Sequence, residues 1–361
     1  MKRIGIVTHY AVHNHGAQLQ LYALIQVLKA QGFHASALQF TKDYRYMEKG
    51  AAEKYSISIK SIPFYIKYSF SKGWRKTLFN VKKKFLFDSF RKKNRILGKW
   101  LSSFDGDAVI VGSDEVFSVE TGLTDAFWGN EGQVKNYISY AASFGPTTIG
   151  EIREKNLEEY LRKSLGNFSL IAVRDKNSRD IIEELAQISV ELTCDPVILY
   201  GYKQEINSCK RKVKVEYILL YSYDNNMNLP EEIQLVKEVA RTFNLPVYSV
   251  GFYHSWCDRN INASPTELLA YFKHASYVIT DTFHGTVISL ITNARFGTML
   301  RGNANKLYHL LAEYNLEDRI FSSQQECVRV LQSDIDYSIV ENKMESYRKK
   351  SLDYLLNALK N

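Results

Sequence analysis

The sequence predicts an α/β protein of two domains whose parallel sheets face each other across a cleft. Three observations point there. Short apolar runs such as IGIV, AVIV, ILLY and YVIT are unbroken rather than alternating, as strands covered on both faces require. Each run is followed by a polar or glycine-bearing cluster, and many then lead into a helical apolar stripe, the pattern of βα units. The series occurs twice, and 361 residues suffice for two domains of ordinary size.

The first series opens with the strand RIGIVTHY and the polar loop AVHNHGAQ. A helix follows in LQLYALIQVLKAQG, where Leu21, Leu24, Ile25 and Leu28 form one stripe closed by Gly32. Beyond a basic insert, DAVIVGSDEVF, NYISYAASFG, LIAVRDKNSRDIIEEL and VELTCDPVIL each pair an apolar run with a polar cluster. A second series starts near residue 214: the strand VEYILLYSY, the helix PEEIQLVKEVARTF with Pro230 in its first turn, and the strand LPVYSVGFY. SPTELLAYFKHA carries a capping box from Ser264 to Glu267; SYVIT, GTVISLITN, RFGTML and NKLYHLLAEYNL then read strand, helix, strand, helix. We therefore expect an N-terminal Rossmann-like domain over 1–205 with its insert at about 42–100. A C-terminal one over 206–335 and a final helix over 336–361 complete the chain, with a hinge in 201–213.

The formal charge of +8 is regional. Residues 42–99 hold 17 Lys/Arg against four acids, 17 − 4 = +13, so the remainder is acidic. Within 76–97, Leu78, Val81, Phe85, Phe90 and Leu97 fall at roughly helical spacing among lysines and arginines. Such a helix can pack on a core with a solvated basic face, lie on an anionic membrane or a lipid-linked acceptor, or bind nucleic acid. No helix-turn-helix, RNP or zinc-finger pattern favours the last, and no nucleic-acid partner is expected. The start, MKRIGIVTHY, lacks a secretory h-region, and no run is long enough to span a bilayer. A cytoplasmic protein, with peripheral contact at the inner face of the plasma membrane through 76–97, is the expectation. Cys194, Cys209, Cys257 and Cys327 form no CxxC pair, so neither a zinc knuckle nor a disulfide framework is indicated.

In open parallel sheets ligands bind beyond the carboxyl ends of the strands, where helix N-termini point. The polar clusters lie there: Asn14 and Gly16; Gly112, Ser113 and Asp114; Ser143 and Gly145; Arg174 and Asp175; Asp195; Asp281, His284 and Gly285. One cleft would collect them. Arg174, ending the strand IAVR, is either a structural ion pair with Asp175 or Asp195 or an anion holder at the cleft floor. GSD reads as a structural turn or as donors to an anion, with Asp114 as cap or base. His9, His13 and His15 lack the acidic or thiol company of a metal site, and no metal is expected. His284 follows Asp281 by three residues and precedes a glycine at a strand-to-helix junction. The pair is either an acid/base couple, or a capping aspartate beside a packed histidine.

Taken in order, NHGAQLQLYAL, VGSDEVF, SYAASFG, VRDKNS, CDPV and DTFHGT resemble the segments NYGAxLQxYAL, GSDQVW, YAASFG, VREKxS, DPT and DSFHG of the polysaccharide pyruvyl transferase family. The likeness runs from about residue 4 to 320, outside the basic insert and the C-terminal helix. It implies a glycosyltransferase-B-like fold and transfer of pyruvate from phosphoenolpyruvate to a sugar of a surface polysaccharide or its lipid-linked precursor. The product is a ketal, phosphate is released, and no cofactor is needed. It further implies that Arg174 and Lys306 bind the donor with Gly285, Thr286, Ser143, Asn14 and Gly16. His284 is implied as general acid or phosphate ligand, and Asp281 as its orienting group or a base. Acceptor-side candidates are Asp114, Ser113, Glu115 and Phe117. His15 stands where the family has tyrosine, Phe117 for tryptophan, Glu115 for glutamine and Val197 for threonine, which leaves the acceptor sugar open. Two other readings compete: a nucleotide-sugar glycosyltransferase of the same fold, and a non-catalytic carbohydrate- or membrane-binding protein.

Overall fold

Two all-parallel sheets carry the fold in the computed structural model, which describes residues 1–45, 73–302 and 304–360. The first is built from β1 (Arg3–Val7), β2 (His34–Gln39), β3 (Leu97–Trp100), β4 (Ala108–Val111), β5 (Tyr137–Ser139) and β6 (Phe168–Leu170). Its order is β3-β2-β1-β4-β5-β6. A short parallel pair, β7 (Ala172–Val173) and β8 (Glu191–Leu192), follows. The second sheet contains β9 (Ile218–Tyr221), β10 (Val247–Val250), β11 (Arg259–Ile261), β12 (Tyr277–Thr280) and β13 (Phe296–Thr298), ordered β11-β10-β9-β12-β13. Both orders are those of Rossmann-like folds. In each sheet the winding reverses beside the unit's first strand, between β1 and β4 and between β9 and β12.

The unbroken apolar runs are what this topology demands. All four residues of β4, β9 and β10 are buried, because helices cover both faces of a parallel sheet. In the second sheet Ile218, Leu220, Val247 and Ile279 pack with Val236 and Val239 of the helix Pro230–Phe243 and with Val330 and Leu331 of Gln324–Gln332. Ser264 and Glu267 form the expected capping box. Three strands were not legible: β2 reads HASALQ, β3 is an edge strand with little burial, and β11 is the polar edge RNI. Pairing to a neighbour, rather than an apolar run, makes them strands.

The described residues divide into two units, and the division departs from the sequence partition. One unit takes the described parts of Met1–Ser56, Arg91–Tyr200 and Met344–Asn361; the other takes those of Ile57–Phe90 and Gly201–Lys343. The insert expected within the N-terminal domain is therefore shared, and residues 46–72 of it lie outside the described residues. The C-terminal helix, Tyr337–Lys360, is also shared. In the first unit Arg348 donates from Nε to the Ile198 carbonyl at 2.7 Å and Tyr354 donates to that of Ser139 at 3.0 Å.

The basic helix runs from Trp74 to Lys93, but its buried face is not the stripe read from sequence. Phe79, Lys83, Phe87 and Phe90 are buried, whereas Leu78, Phe85 and Leu97 are exposed. The error is one of phase: the true face includes a lysine, and an apolar count skips it. Phe79 meets Tyr253 edge-on, and its carbonyl accepts from the Asn262 amide at 2.9 Å. Among the described residues no helix is long and apolar enough to cross a membrane, and all four cysteines are free thiols.

Candidate functional site

The carboxyl edge of the first sheet is organised around GSD. Gly112 adopts φ +124°, and a Cβ there would lie 2.2 Å from the Tyr140 carbonyl oxygen, so only glycine lets the chain cross β5 this closely. The Ser113 carbonyl accepts from the Thr8 hydroxyl at 2.8 Å, and its own hydroxyl donates to Gln20 Oε1 at 2.7 Å. Asp114, with φ 80°, is a side chain held in left-handed backbone, and it bridges to Ala142. Arg174, beyond β7, donates from Nη1 to Asp195 Oδ2 at 3.1 Å and lies 3.5 Å from Asp114 Oδ1 through Nη2. Its side chain is 2% exposed and that of Asp195 1%. Burial works against the guanidinium's charge, but Asp114, Asp195, Glu115 and Asp175 outweigh it and hold its pKa above the ordinary value. Of the alternatives left open for Arg174, this is the ion pair, made with Asp195 and Asp114.

Several donor and acceptor candidates of this edge are engaged within the protein. Ser143 donates to Asp175 Oδ2 at 2.7 Å and accepts from the Gly145 amide at 2.9 Å, while Asp175 caps the helix Lys176–Ala186 through the Ser178 amide. Asn14 caps His15–Ala30 by accepting from the Ala17 amide, so the helix starts earlier than its apolar stripe and Gly16 is buried in its first turn. Ser113 and Phe117 are corrected as acceptor contacts. Ser113 is buried beneath Gln20, and Phe117 stacks on Trp128 at 4.5 Å with no exposed surface. Asp114 and Glu115 are partly exposed. Of the three loop histidines, His9 meets Phe127 edge-on and His15 is buried; among the described residues no group of three or more His, Cys, Asp or Glu is arranged to hold a metal ion.

The second sheet presents DTFHGT at its switch point, on the loop from β12 into the helix Phe283–Ile291. Thr282, not Asp281, is the cap, accepting from the Gly285 amide at 2.9 Å, and His284 stands in the first helical turn. Gly285 serves close packing: a Cβ would meet Thr280 Oγ1 at 2.1 Å, and the Thr280 hydroxyl donates to the Tyr221 carbonyl of the neighbouring strand. On the side where a Cβ would stand, the space at Gly285 is filled by Thr280 and Thr282. Thr286 is likewise fully buried, its hydroxyl 3.1 Å from that of Thr298 on β13. Lys306 lies buried in the first turn of Ala304–Glu313.

Asp281 is fully buried, and its Oδ2 accepts from the Asn226 amide at 2.9 Å and from Arg301 Nε. Arg301 also pairs with Glu232 at 2.7 Å; burial opposes its charge, but Glu232 and Asp281 raise its pKa nonetheless. Asn226 extends the network: its carbonyl accepts from His254 Nε2 at 3.1 Å, and His254 Nδ1 lies 3.0 Å from the Ser249 hydroxyl. Burial is the largest influence on His254 and lowers its pKa. Lys83, from the basic helix, completes this edge. Its ammonium sits 4.1 Å over the Phe252 ring, and burial pulls its pKa down to about 8 against the attraction of Asp224. Asp224 accepts from the Tyr253 amide and pairs with Lys76 at 3.4 Å.

Arg301, Asn226, His254 and Lys83 were missed by reading the sequence. The first three follow strand runs, RFGTML, VEYILLYSY and LPVYSVGFY, so the rule that found Asp281 would have found them. Lys83 carries no such signal, because a lysine among lysines looks solvated.

Two winding-reversed parallel sheets, with polar side chains gathered at their carboxyl edges, are those of a glycosyltransferase-B-like fold. Solved structures agree on the fold. S. aureus MnaA with UDP matches at TM-score 0.51 and 11% identity over 100% of this chain and 98% of that one. Trehalose-6-phosphate synthase OtsA matches at 0.52 and 9%, covering 99% of each chain. UDP-N-acetylglucosamine 2-epimerase from Rickettsia bellii matches at 0.50 and 11%, covering 100% and 97%. Identities this low speak for fold alone, and no curated protein matches the chain. The chain belongs to the polysaccharide pyruvyl transferase family, whose model matches residues 14–299.

Proposed function

We propose that the chain transfers pyruvate from phosphoenolpyruvate to two hydroxyls of a sugar in a surface polysaccharide or its lipid-linked precursor. The observation that carries this reading, beside family membership, is the placement of DTFHGT. It sets a histidine, itself largely buried, in the first turn of a helix at the switch point of a parallel sheet, three residues beyond the Asp281 that pairs with Arg301. A helix N-terminus favours an anion, and phosphoenolpyruvate brings two anionic groups.

In this reading His284 delivers a proton to C3 of the donor, making C2 electrophilic. One sugar hydroxyl adds at C2, phosphate leaves, and a second hydroxyl closes the ketal. Of the two hydroxyl protons lost, one replaces that given to C3 and the other leaves with phosphate. Lys306 balances part of the donor's negative charge, and Arg301, held by Asp281 and Glu232 but 24% exposed where Arg174 is 2%, faces the donor with the open part of its guanidinium. Arg174, committed to two carboxylates, positions the loop that carries Asp114 and Glu115, our acceptor-side candidates.

The test is incubation with phosphoenolpyruvate and a panel of oligosaccharides, measuring inorganic phosphate and acid-labile pyruvate together. Equimolar appearance of both supports the reaction; consumption of a sugar nucleotide without pyruvate transfer would overturn it in favour of glycosyl transfer. His284→Gln should lower turnover by about 10²–10⁴-fold, the usual contribution of a positioned acid. Turnover equal to the parent's would remove His284 from the chemistry.

A further inference from the structure

The helix Trp74–Lys93 has two faces, and among the described residues only one is packed into the fold. Phe79, Lys83, Phe87 and Phe90 are buried on the inner side. Trp74, Leu78, Lys82, Phe85 and Lys92 are exposed. At 3.6 residues per turn these outer positions fall within about a quarter of the circumference, a continuous strip along the helix. Three of them are large apolar side chains left in water, Trp74 at 65%, Leu78 at 48% and Phe85 at 66% exposure. Around them stand Arg75, Lys82, Lys92 and Lys93, all exposed, while Asp88 pairs with Lys84. Isolated exposed apolar residues need no explanation, but three in register on one helix, set among cations with Asp88 at the margin as the helix's single acid, do.

We infer that this face docks on an anionic lipid bilayer, lying in the interface plane with Trp74, Leu78 and Phe85 inserted at the headgroup boundary and the lysines on lipid phosphates. Charge complementarity selects an anionic partner, and the apolar seam selects a bilayer over a soluble polyanion, which offers no acyl boundary to insert into. The surface differs from the stripe read by periodicity: Phe90 is withdrawn into the core, and Trp74 and Lys82 take part. It stands independently of the transferase reading, because it requires no substrate.

Co-sedimentation of the full chain with phosphatidylcholine vesicles, with and without phosphatidylglycerol, is the experiment. Binding should require phosphatidylglycerol and weaken at high salt, where surface charge is screened. Trp74→Ser with Phe85→Ser should reduce partitioning at least tenfold, and Lys82→Glu by about fivefold or more per site. Because these side chains are exposed, the variants should keep the parent's circular dichroism melting curve. Three outcomes would each overturn the inference: no binding to anionic vesicles, binding indifferent to phosphatidylglycerol and salt, or binding unchanged in the doubly substituted variant. Retention on a soluble polyanion such as dextran sulfate that survives loss of Trp74 and Phe85, without vesicle binding, would assign the face to an acidic polymer instead.

Discussion

The carboxyl edges of the two sheets hold similar inventories of buried polar groups and settle them differently. At the first edge the charges close on themselves: Arg174 is sealed between Asp195 and Asp114, and Ser143 and Ser178 are tied to Asp175. At the second, Arg301 keeps 24% of its side chain exposed, His254 is buried and disposed to be neutral, and Lys83 sits over an aromatic ring with its pKa drawn down to about 8. The first edge is a clamp in which several carboxylates converge on one buried guanidinium. The second keeps its arginine partly open to water and holds a histidine and a lysine whose charged forms burial disfavours.

The comparison can be broken most sharply at the two arginines. Arg174→Ala should cost about 3–5 kcal/mol of stability, because it strands the buried Asp195 carboxylate. Arg301→Ala should cost less, about 1–3 kcal/mol, since water reaches that site and can replace part of what Asp281 loses. Urea unfolding midpoints check the pair; equal losses would dissolve the distinction between a sealed and an open edge.

Next in size is Lys83. Its folded pKa of about 8 lies below the ordinary 10.5, so the unfolded chain binds the proton more tightly. The penalty is fully present below pH 8 and relieved as pH rises from there toward 10.5. Lys83→Met should therefore raise neutral-pH stability by about 1–3 kcal/mol, after allowing for the lost ring contact, and flatten the alkaline rise. Thermal melts across that range decide it. Gly285→Ala should cost about 1–3 kcal/mol by forcing Thr280 away from the helix, measurable in the same assay.

The smallest expected effect is at His254. Its folded pKa lies below the ordinary 6.5, so stability falls as pH drops below about 6.5, where the unfolded histidine takes up a proton that the folded one refuses. His254→Gln should lessen that acid sensitivity, read from melting temperatures on either side of pH 6.5. An unchanged acid slope would mean that other groups set it.

Much of this molecule was legible in one dimension. Runs such as AVIV and ILLY announce parallel strands because covering both faces removes alternation, and the polar clusters after them mark the carboxyl edges because chain direction is common to a parallel sheet. The six ordered segments sufficed for the family, and DTFHGT was placed correctly at a strand-to-helix junction. Tertiary structure decided the rest. It turned Arg174 toward carboxylates, packed Gly285 against Thr280, sank Phe117 onto Trp128, and brought Arg301, Asn226 and His254 around Asp281 from separate strand ends. Periodicity reports which faces are apolar, because that is a property of neighbours along the chain. Which buried polar groups satisfy one another depends on strand order and helix phase, which bring distant residues within hydrogen-bonding reach.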